Sequence, residues 1–158
     1  MKNFDFIKEQ ADKIKFLPLV TIILLHFTGV ILLYLLLYAA GIVPTLPSAA
    51  NLVQWDAGWY QSIVNNNYVY VANEQCNLAF YPLFPYLQRF LQLDAFWISA
   101  VNLFFLIGAF ILFTRFFEFK IPSLLLAISF PSLFFCFVPY AEALFFLSGV
   151  IALVGFKT

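Results

Sequence analysis

Charge is what this sequence has least of. Only 10% of its 158 residues are Asp, Glu, Lys or Arg, eight acids against eight bases, while 64% are hydrophobic. Soluble domains carry about 25% charged residues, so the balance points to lipid. No basic cluster or excess of positive charge offers the electrostatic footprint that a nucleic acid needs, which excludes that partner class. The two cysteines, Cys76 in a polar segment and Cys136 in an apolar run, supply neither a disulfide framework nor a metal knuckle. A glycine-rich phosphate loop and an Asp-x-Asp pattern are also absent, so no cofactor is expected and no divalent metal is indicated.

The longest stretch without charge runs from Phe16 to Trp55. Its core, "LPLVTIILLHFTGVILLYLLLYAAG", exceeds the roughly 20 apolar residues that cross a bilayer as a helix, and a first span over 17–42 is expected. The competing reading is a secretory signal peptide, whose apolar region would be only about 7–15 residues long. His26 within this span reads as a hydrogen-bonded packing residue. A second span is expected over 95–114, bounded by Asp94 and Arg115. After the charged turn "RFFEFK", the chain from Ile121 to Phe156 is apolar except for Glu142 and is too long for one crossing. Two helices, 121–138 and 140–156, fit it, with the break at "VPYAE", because Pro139 cannot continue a hydrogen-bond ladder and Glu142 is costly in mid-bilayer. Pro122 suits a helix start, and Pro131 is a candidate kink.

Positive charge sets the orientation. Lys2, Lys8, Lys13 and Lys15 precede the first span, Arg115 and Lys120 follow the second, and Lys157 follows the fourth. Four crossings put these seven on one face, which the positive-inside rule makes cytoplasmic together with residues 1–16. The extracytoplasmic side then receives residues 43–94 and the turn at Pro139 to Glu142, so Asp56 and Glu142 emerge together. The expected fold is an all-α integral membrane protein, one domain over 1–158, with about four transmembrane helices and amphipathic interfacial helices in a long first extracytoplasmic loop.

Connections as long as 43–94 are more often functional than slack. Within this one, "WDAGWYQSIVNNNY" plotted at about 100° per residue gathers Trp55, Trp59, Tyr60, Ile63, Val64 and Tyr68 on one arc, with Gly58, Gln61, Ser62, Asn65 and Asn66 opposite. The pattern predicts an interfacial helix whose aromatics sit at headgroup level. Asp56 falls inside the apolar arc, where a carboxylate needs a partner or a wet cavity. The plainer reading is an acid at a helix N-terminus, where it is favourable. Farther on, "NLAFYPLFPYLQRFLQL" predicts a second interfacial helix, with Leu83, Phe84, Leu87, Phe90 and Leu91 toward the membrane and Gln88, Arg89 and Gln92 toward water. Pro82 and Pro85 there also read as helix-start punctuation. Glu142 marks either a site facing a cavity or the end of a hairpin.

Three segments in order, "WDAGWYQSIVNNNY", "AFYPLFPYLQRFL" and "PSLFFCFVPYAEALFFL", resemble the PIG-V family, the GPI mannosyltransferase 2 type of membrane glycosyltransferase, including its bacterial relatives. The resemblance covers roughly Leu52 to Leu147. It implies a GT-C fold, in which an acid near the start of the first extracytoplasmic loop, matched here by Asp56, serves catalysis. It also implies a polyprenyl-phosphate-linked sugar, mannose in the eukaryotic case, as donor and a lipid-linked or glycan acceptor. Phe80 to Pro85 match the second motif, and Pro139, Tyr140 and Glu142 match the third. Such enzymes are more than twice this long, so the chain looks like the N-terminal portion of one.

The mechanism expected on this basis makes Asp56 the general base that takes the acceptor hydroxyl's proton in an inverting displacement. Glu142, with Tyr140, would bind or orient substrate. Trp55, Trp59, Tyr60 and Tyr81 are candidates for stacking on sugar rings, against the commoner role of interface anchors. Arg89, the one basic residue on the extracytoplasmic side, is a candidate for the carrier phosphate, against a snorkelling arginine. The expected location is the plasma membrane in a bacterium or the endoplasmic reticulum membrane in a eukaryote, in contact with membrane lipids. The alternative from another class is a non-catalytic multi-span subunit or a piece of a transporter.

Overall fold

The uncharged runs become long helices in the computed structural model of the chain, which describes the backbone of 2–117 and 120–157 and the side chains of 17–117 and 120–156. The helices are α1 (Lys2–Ala39), α2 (Asp56–Asn66), α3 (Leu83–Leu91), α4 (Ala95–Phe116), α5 (Ile121–Ile128) and α6 (Glu142–Lys157), with 3-10 turns at Asn77–Ala79 and Pro131–Cys136. Among the described residues there is no strand. The side chains of Lys2, Lys8, Lys13, Lys15 and Lys157, on which the orientation rests, lie outside those described, as does Glu118 in the charged turn.

Two segments, Leu17–Ala39 of α1 and Ala95–Phe116, are long and apolar enough to cross a membrane, with mean hydropathies of 2.5 and 2.3. At about 1.5 Å per residue they reach the roughly 30 Å of a hydrocarbon core. The other two expected spans differ from expectation. Residues 121–138 do not form one helix: α5 stops at Ile128, and the chain turns through a 3-10 segment that starts at Pro131. Pro131 has no N–H to return to the preceding turn, and its ring disfavours helical backbone in the residue before it, so it ends the helix rather than bending it. α6 is continuous, but its 16 residues span only about 24 Å. Pro122 stands in the first turn of α5, as expected, and α6 begins after Pro139, where a break was expected.

By its internal contacts the chain divides into two compact units, one made of Met1–Thr45, Ile107–Phe130 and Val150–Thr158, the other of Leu46–Leu106 and Pro131–Gly149. In the first, α1 buries a single stripe, Leu19, Ile23 and Phe27, spaced four apart so that they share one face. The Phe27 ring lies 6.4 Å from that of Phe110, and Leu124 and Ile128 of α5 are buried. His26 packs edge-on against Phe27. Between 28 and 39, α1 buries no side chain at all. Only 17% of the most apolar window of α1 and 33% of that of α4 are buried, whereas the core helix of a water-soluble protein would be covered on most of its surface.

The second unit is centred on Tyr60, Phe84 and Ile98, all buried, with a smaller cluster of Ala57, Val138 and Tyr140 beside it. α2 and α3 pack directly on one another. This overturns part of the expected facing. Phe84 and Gln88 of α3 are buried, while Leu83, Tyr86 and Phe90 are exposed. α2 turns Ala57, Tyr60 and Ile63 inward, so protein covers Tyr60 and Ile63 of the arc that was assigned to lipid, while Trp55 stays exposed. The helix also ends before Tyr68, whose hydroxyl bonds to the Phe80 carbonyl at 2.6 Å. Cys76 and Cys136 are free thiols.

The register of α3 sets a contrast between two phenylalanines. Phe84 is 1% exposed and Phe90 82% exposed. Phe84→Ala should cost about 3–5 kcal/mol through the cavity it leaves, and Phe90→Ala less than about 0.5 kcal/mol. Thermal unfolding of the detergent-solubilised variants checks the order, and equal losses would mean that α3 is rotated.

Candidate active site

α2 starts without a cap of its own. Trp55, the residue before it, has φ 45° and ψ −121° and makes no side-chain capping bond. A positive φ is costly for a residue with a β-carbon and persists only where surrounding contacts impose it. The imposing contacts are local and distant. Ala57 N–H donates to the Gln54 carbonyl and Gly58 N–H to that of Trp55, both at 3.0 Å. From far along the chain, the Tyr140 hydroxyl donates to the same Gln54 carbonyl at 3.2 Å, and its oxygen faces the backbone N–H groups of Asp56 and Ala57. A phenol thus anchors the backbone just ahead of the helix, where the indole makes no capping bond.

α6 repeats the arrangement with the partners exchanged. Its first turn closes on Ala141, whose carbonyl accepts from Phe145 N–H at 2.8 Å, and an alanine side chain cannot cap a helix. The Tyr60 phenol, buried on α2, instead lies against the Ala141 backbone, near enough for its N–H to act on the phenol's acidity. Its ring meets those of Phe80 and Phe84 edge-on at 5.0 and 5.2 Å and lies 6.4 Å from the Tyr140 ring. Tyr140 in turn stacks on Phe135 at 5.8 Å. Each helix start therefore has a tyrosine from the other segment beside it, and that of α2 is tied by a hydrogen bond.

Both helices begin with an acid, Asp56 in α2 and Glu142 in α6. The two carboxyl groups are exposed and lie within electrostatic range of one another. Asp56 was expected within a greasy arc, yet as the first residue of its helix it projects from the end rather than from the packed side. The field at each helix start, worth roughly 0.3–1 kcal/mol, favours negative charge, but partial burial and the Asp56 charge outweigh it at Glu142, whose carboxyl is raised above the usual range. A groove of about 160 Å³ opens beside Asp56, lined by Leu52, Gln54, Trp55, Phe134, Val138 and Tyr140 among others. Two accessible carboxylates beside an apolar groove are equipped to accept a proton and to bind hydroxyl groups. Among the described residues no three His, Cys, Asp or Glu side chains lie close enough together to hold a metal ion.

The structure gathers Asp56, Glu142, Tyr60, Tyr140 and Trp55, and leaves others apart. Trp59 stacks on Phe80 with centroids 6.2 Å apart. Tyr81 is exposed. Arg89 donates to the Asn67 side chain, just beyond the C-terminus of α2, which places it about 16 Å along the helix from Asp56. It ties α3 to α2 rather than joining the acids.

Two residues that matter here, Asn77 and Asn102, escaped the sequence reading, and a third, Gln88, was expected to face water but is buried. Asn77, 2% exposed, receives Val69 N–H at 2.9 Å and donates to the Ser62 hydroxyl and the Asn67 carbonyl at 3.0 Å each. Gln88 joins the Gln61 side chain and the Leu93 carbonyl, both at 3.2 Å. Asn102, in the middle of α4, donates to the carbonyls of Val138 and Tyr140. The one signal available was an amide interrupting an apolar run, which in a membrane span marks a helix contact.

The tyrosine exchange has a spectroscopic consequence. Burial first, then the charges of Glu142 and Asp56, push the Tyr60 phenol from its ordinary 10 up to about 12. The folded state therefore favours neutral Tyr60, and the stability this contributes is complete below pH 10 and lost as the pH rises toward 12. The phenolate absorbance missing from Tyr60→Phe in a difference titration should appear near 12. Its appearance near 10 would place Tyr60 in water.

Comparison with protein-family models, with curated proteins and with solved structures finds no match for this chain.

Proposed function

We propose that the chain is a membrane glycosyltransferase of the GT-C type, which moves a sugar from a polyprenyl-phosphate-linked donor to a lipid-linked or glycan acceptor on the extracytoplasmic face. The observation that carries the reading is the exchange of Tyr60 and Tyr140 between the starts of α2 and α6. Two of the three segments that resemble the PIG-V family are thereby interlocked, each offering an exposed acid. The membrane setting is supported by α1 and α4, two long apolar helices with little of their surface covered. Two crossings already suffice to return Arg115 to the side of Lys15, which the positive-inside rule makes cytoplasmic. That side is the cytoplasm under the plasma membrane of a bacterium or the endoplasmic reticulum membrane of a eukaryote.

In the reaction, the acceptor oxygen attacks the anomeric carbon as the bond from that carbon to the carrier phosphate breaks, with inversion. The hydroxyl proton passes to the Asp56 carboxylate, and the polyprenyl phosphate leaves with the bonding pair. Because the donor is already activated by its phosphate, the chain has chiefly to align the acceptor and take its proton. Glu142, two residues beyond Tyr140, binds sugar or acceptor hydroxyls. Trp55, exposed beside the groove, presents an aromatic face to a sugar ring.

A second reading is favoured by the completeness of the caps. Acids at helix starts and tyrosines over backbone N–H groups also stabilise a subunit that performs no chemistry. The two readings part on one experiment. With the complete gene product in liposomes and labelled polyprenyl-phosphate sugars, wild type should transfer label to a lipid acceptor, and Asp56→Asn should lower kcat by about 10²–10⁴-fold. Transfer by Asp56→Asn at the wild-type rate, or none by wild type with any acceptor, removes the catalytic assignment.

A further inference from the structure

We infer that Asn102 is a positioning residue that sets the geometry of the Asp56 and Glu142 pair. Its side chain is 0% exposed and lies in the third turn of α4. The amide nitrogen donates both of its hydrogens to one short turn, to the Val138 carbonyl at 2.7 Å and to the Tyr140 carbonyl at 2.9 Å. These carbonyls flank Pro139, which has no N–H with which to brace the turn. Within the turn itself, Tyr140 N–H reaches back to the Val138 carbonyl at 2.7 Å, so the amide supplies the external tie.

That tie has two outlets. Through the Tyr140 side chain it reaches the Gln54 carbonyl, and from there the start of α2 and Asp56. Along the backbone it leads to Ala141 and Glu142, where Ala141 packs against the cluster of Tyr60. One buried amide is thus bonded to the common origin of both acids. The amide oxygen itself, Oδ1, has no hydrogen-bond partner, a state that buried polar groups avoid. Packing alone would be served better by an apolar side chain of the same size. What an apolar residue lacks are the two donors to Val138 and Tyr140, and these are the reason for an amide at this position.

The kinetic arm of the test rests on the glycosyltransferase reading, and the exchange arm does not. In the membrane-embedded protein, Asn102→Leu removes the donors at similar volume. Hydrogen exchange followed by mass spectrometry should show loss of protection in 54–58 and 140–143, with α3 unchanged. In the transfer assay, kcat should fall about ten- to a hundredfold with KM nearly constant, and Asn102→Leu should add little in a Tyr140→Phe background, because both act through one turn. Where Asn102→Leu does not fold, Asn102→Asp, of the same shape with at most one donor, should show the same pattern in weaker form. Unchanged exchange at 54–58, or a uniform loss of protection that includes α3, overturns the inference. If wild type transfers no sugar, the enzymatic reading falls and the exchange pattern alone decides whether Asn102 positions the two helix starts.

Discussion

Two phenols traded between two helix starts are the constraint on which the rest of the second unit depends. α2 and α6 each begin with a residue that cannot cap them, Trp55 and Ala141, and each has a tyrosine of the other segment beside its start. Hydrogen bonds of this kind contribute only about 0.5–1.5 kcal/mol each. Their geometric effect is larger, since the two starts, more than eighty residues apart in sequence, cannot separate without breaking the Tyr140–Gln54 bond and uncovering Tyr60. The aromatic shell of Phe80, Phe84 and Phe135 around the two tyrosines keeps the phenols in place by filling the space into which they would otherwise turn.

This constraint also explains how two acids tolerate one another. Two carboxylates in water repel by on the order of 1 kcal/mol at 4 Å, and by less as they separate. The positive ends of two helices, at roughly 0.3–1 kcal/mol each, offset a repulsion of that size. Partial burial of Glu142 at its helix start, together with the nearby Asp56 charge, still raises its carboxyl above the usual range. The result is a pair of anionic groups facing outward beside an apolar groove, on an armature whose buried side is aromatic. Under the proposed glycosyltransferase reading, Asp56 would take the proton and Glu142 would hold hydroxyls, on helix starts that Tyr140 and Tyr60 pack against.

What was legible in the sequence follows from the physics of each signal. Apolar length needs no periodicity, so α1 and α4 could be read directly, and Pro139 announced the break before α6 because a missing N–H acts locally. Pro131 was harder: the same chemistry either kinks a helix or ends it, and the outcome is set by whether the freed carbonyls find partners. The wheel for α2 correctly grouped Tyr60 and Ile63 but misplaced Asp56, because a wheel treats the end of a helix like its middle. It also presumed lipid where α3 and Tyr140 supply the cover. Gln88, Asn77 and Asn102 were assigned to water or overlooked because polarity is usually solvated. Each is buried because irregular backbone nearby, around Asn67, Leu93 and Pro139, exposes carbonyls that only a side-chain amide reaches.

The central claim is that the starts of α2 and α6 stand side by side. It is tested most directly by spin labels at both positions, using Asp56→Cys with Glu142→Cys after replacement of Cys76 and Cys136 by serine. The account predicts dipolar broadening of the continuous-wave spectrum relative to the sum of the two singly labelled proteins, and a decrease in that broadening when Tyr60 and Tyr140 are both changed to phenylalanine. A doubly labelled spectrum equal to the sum of the single ones would contradict it.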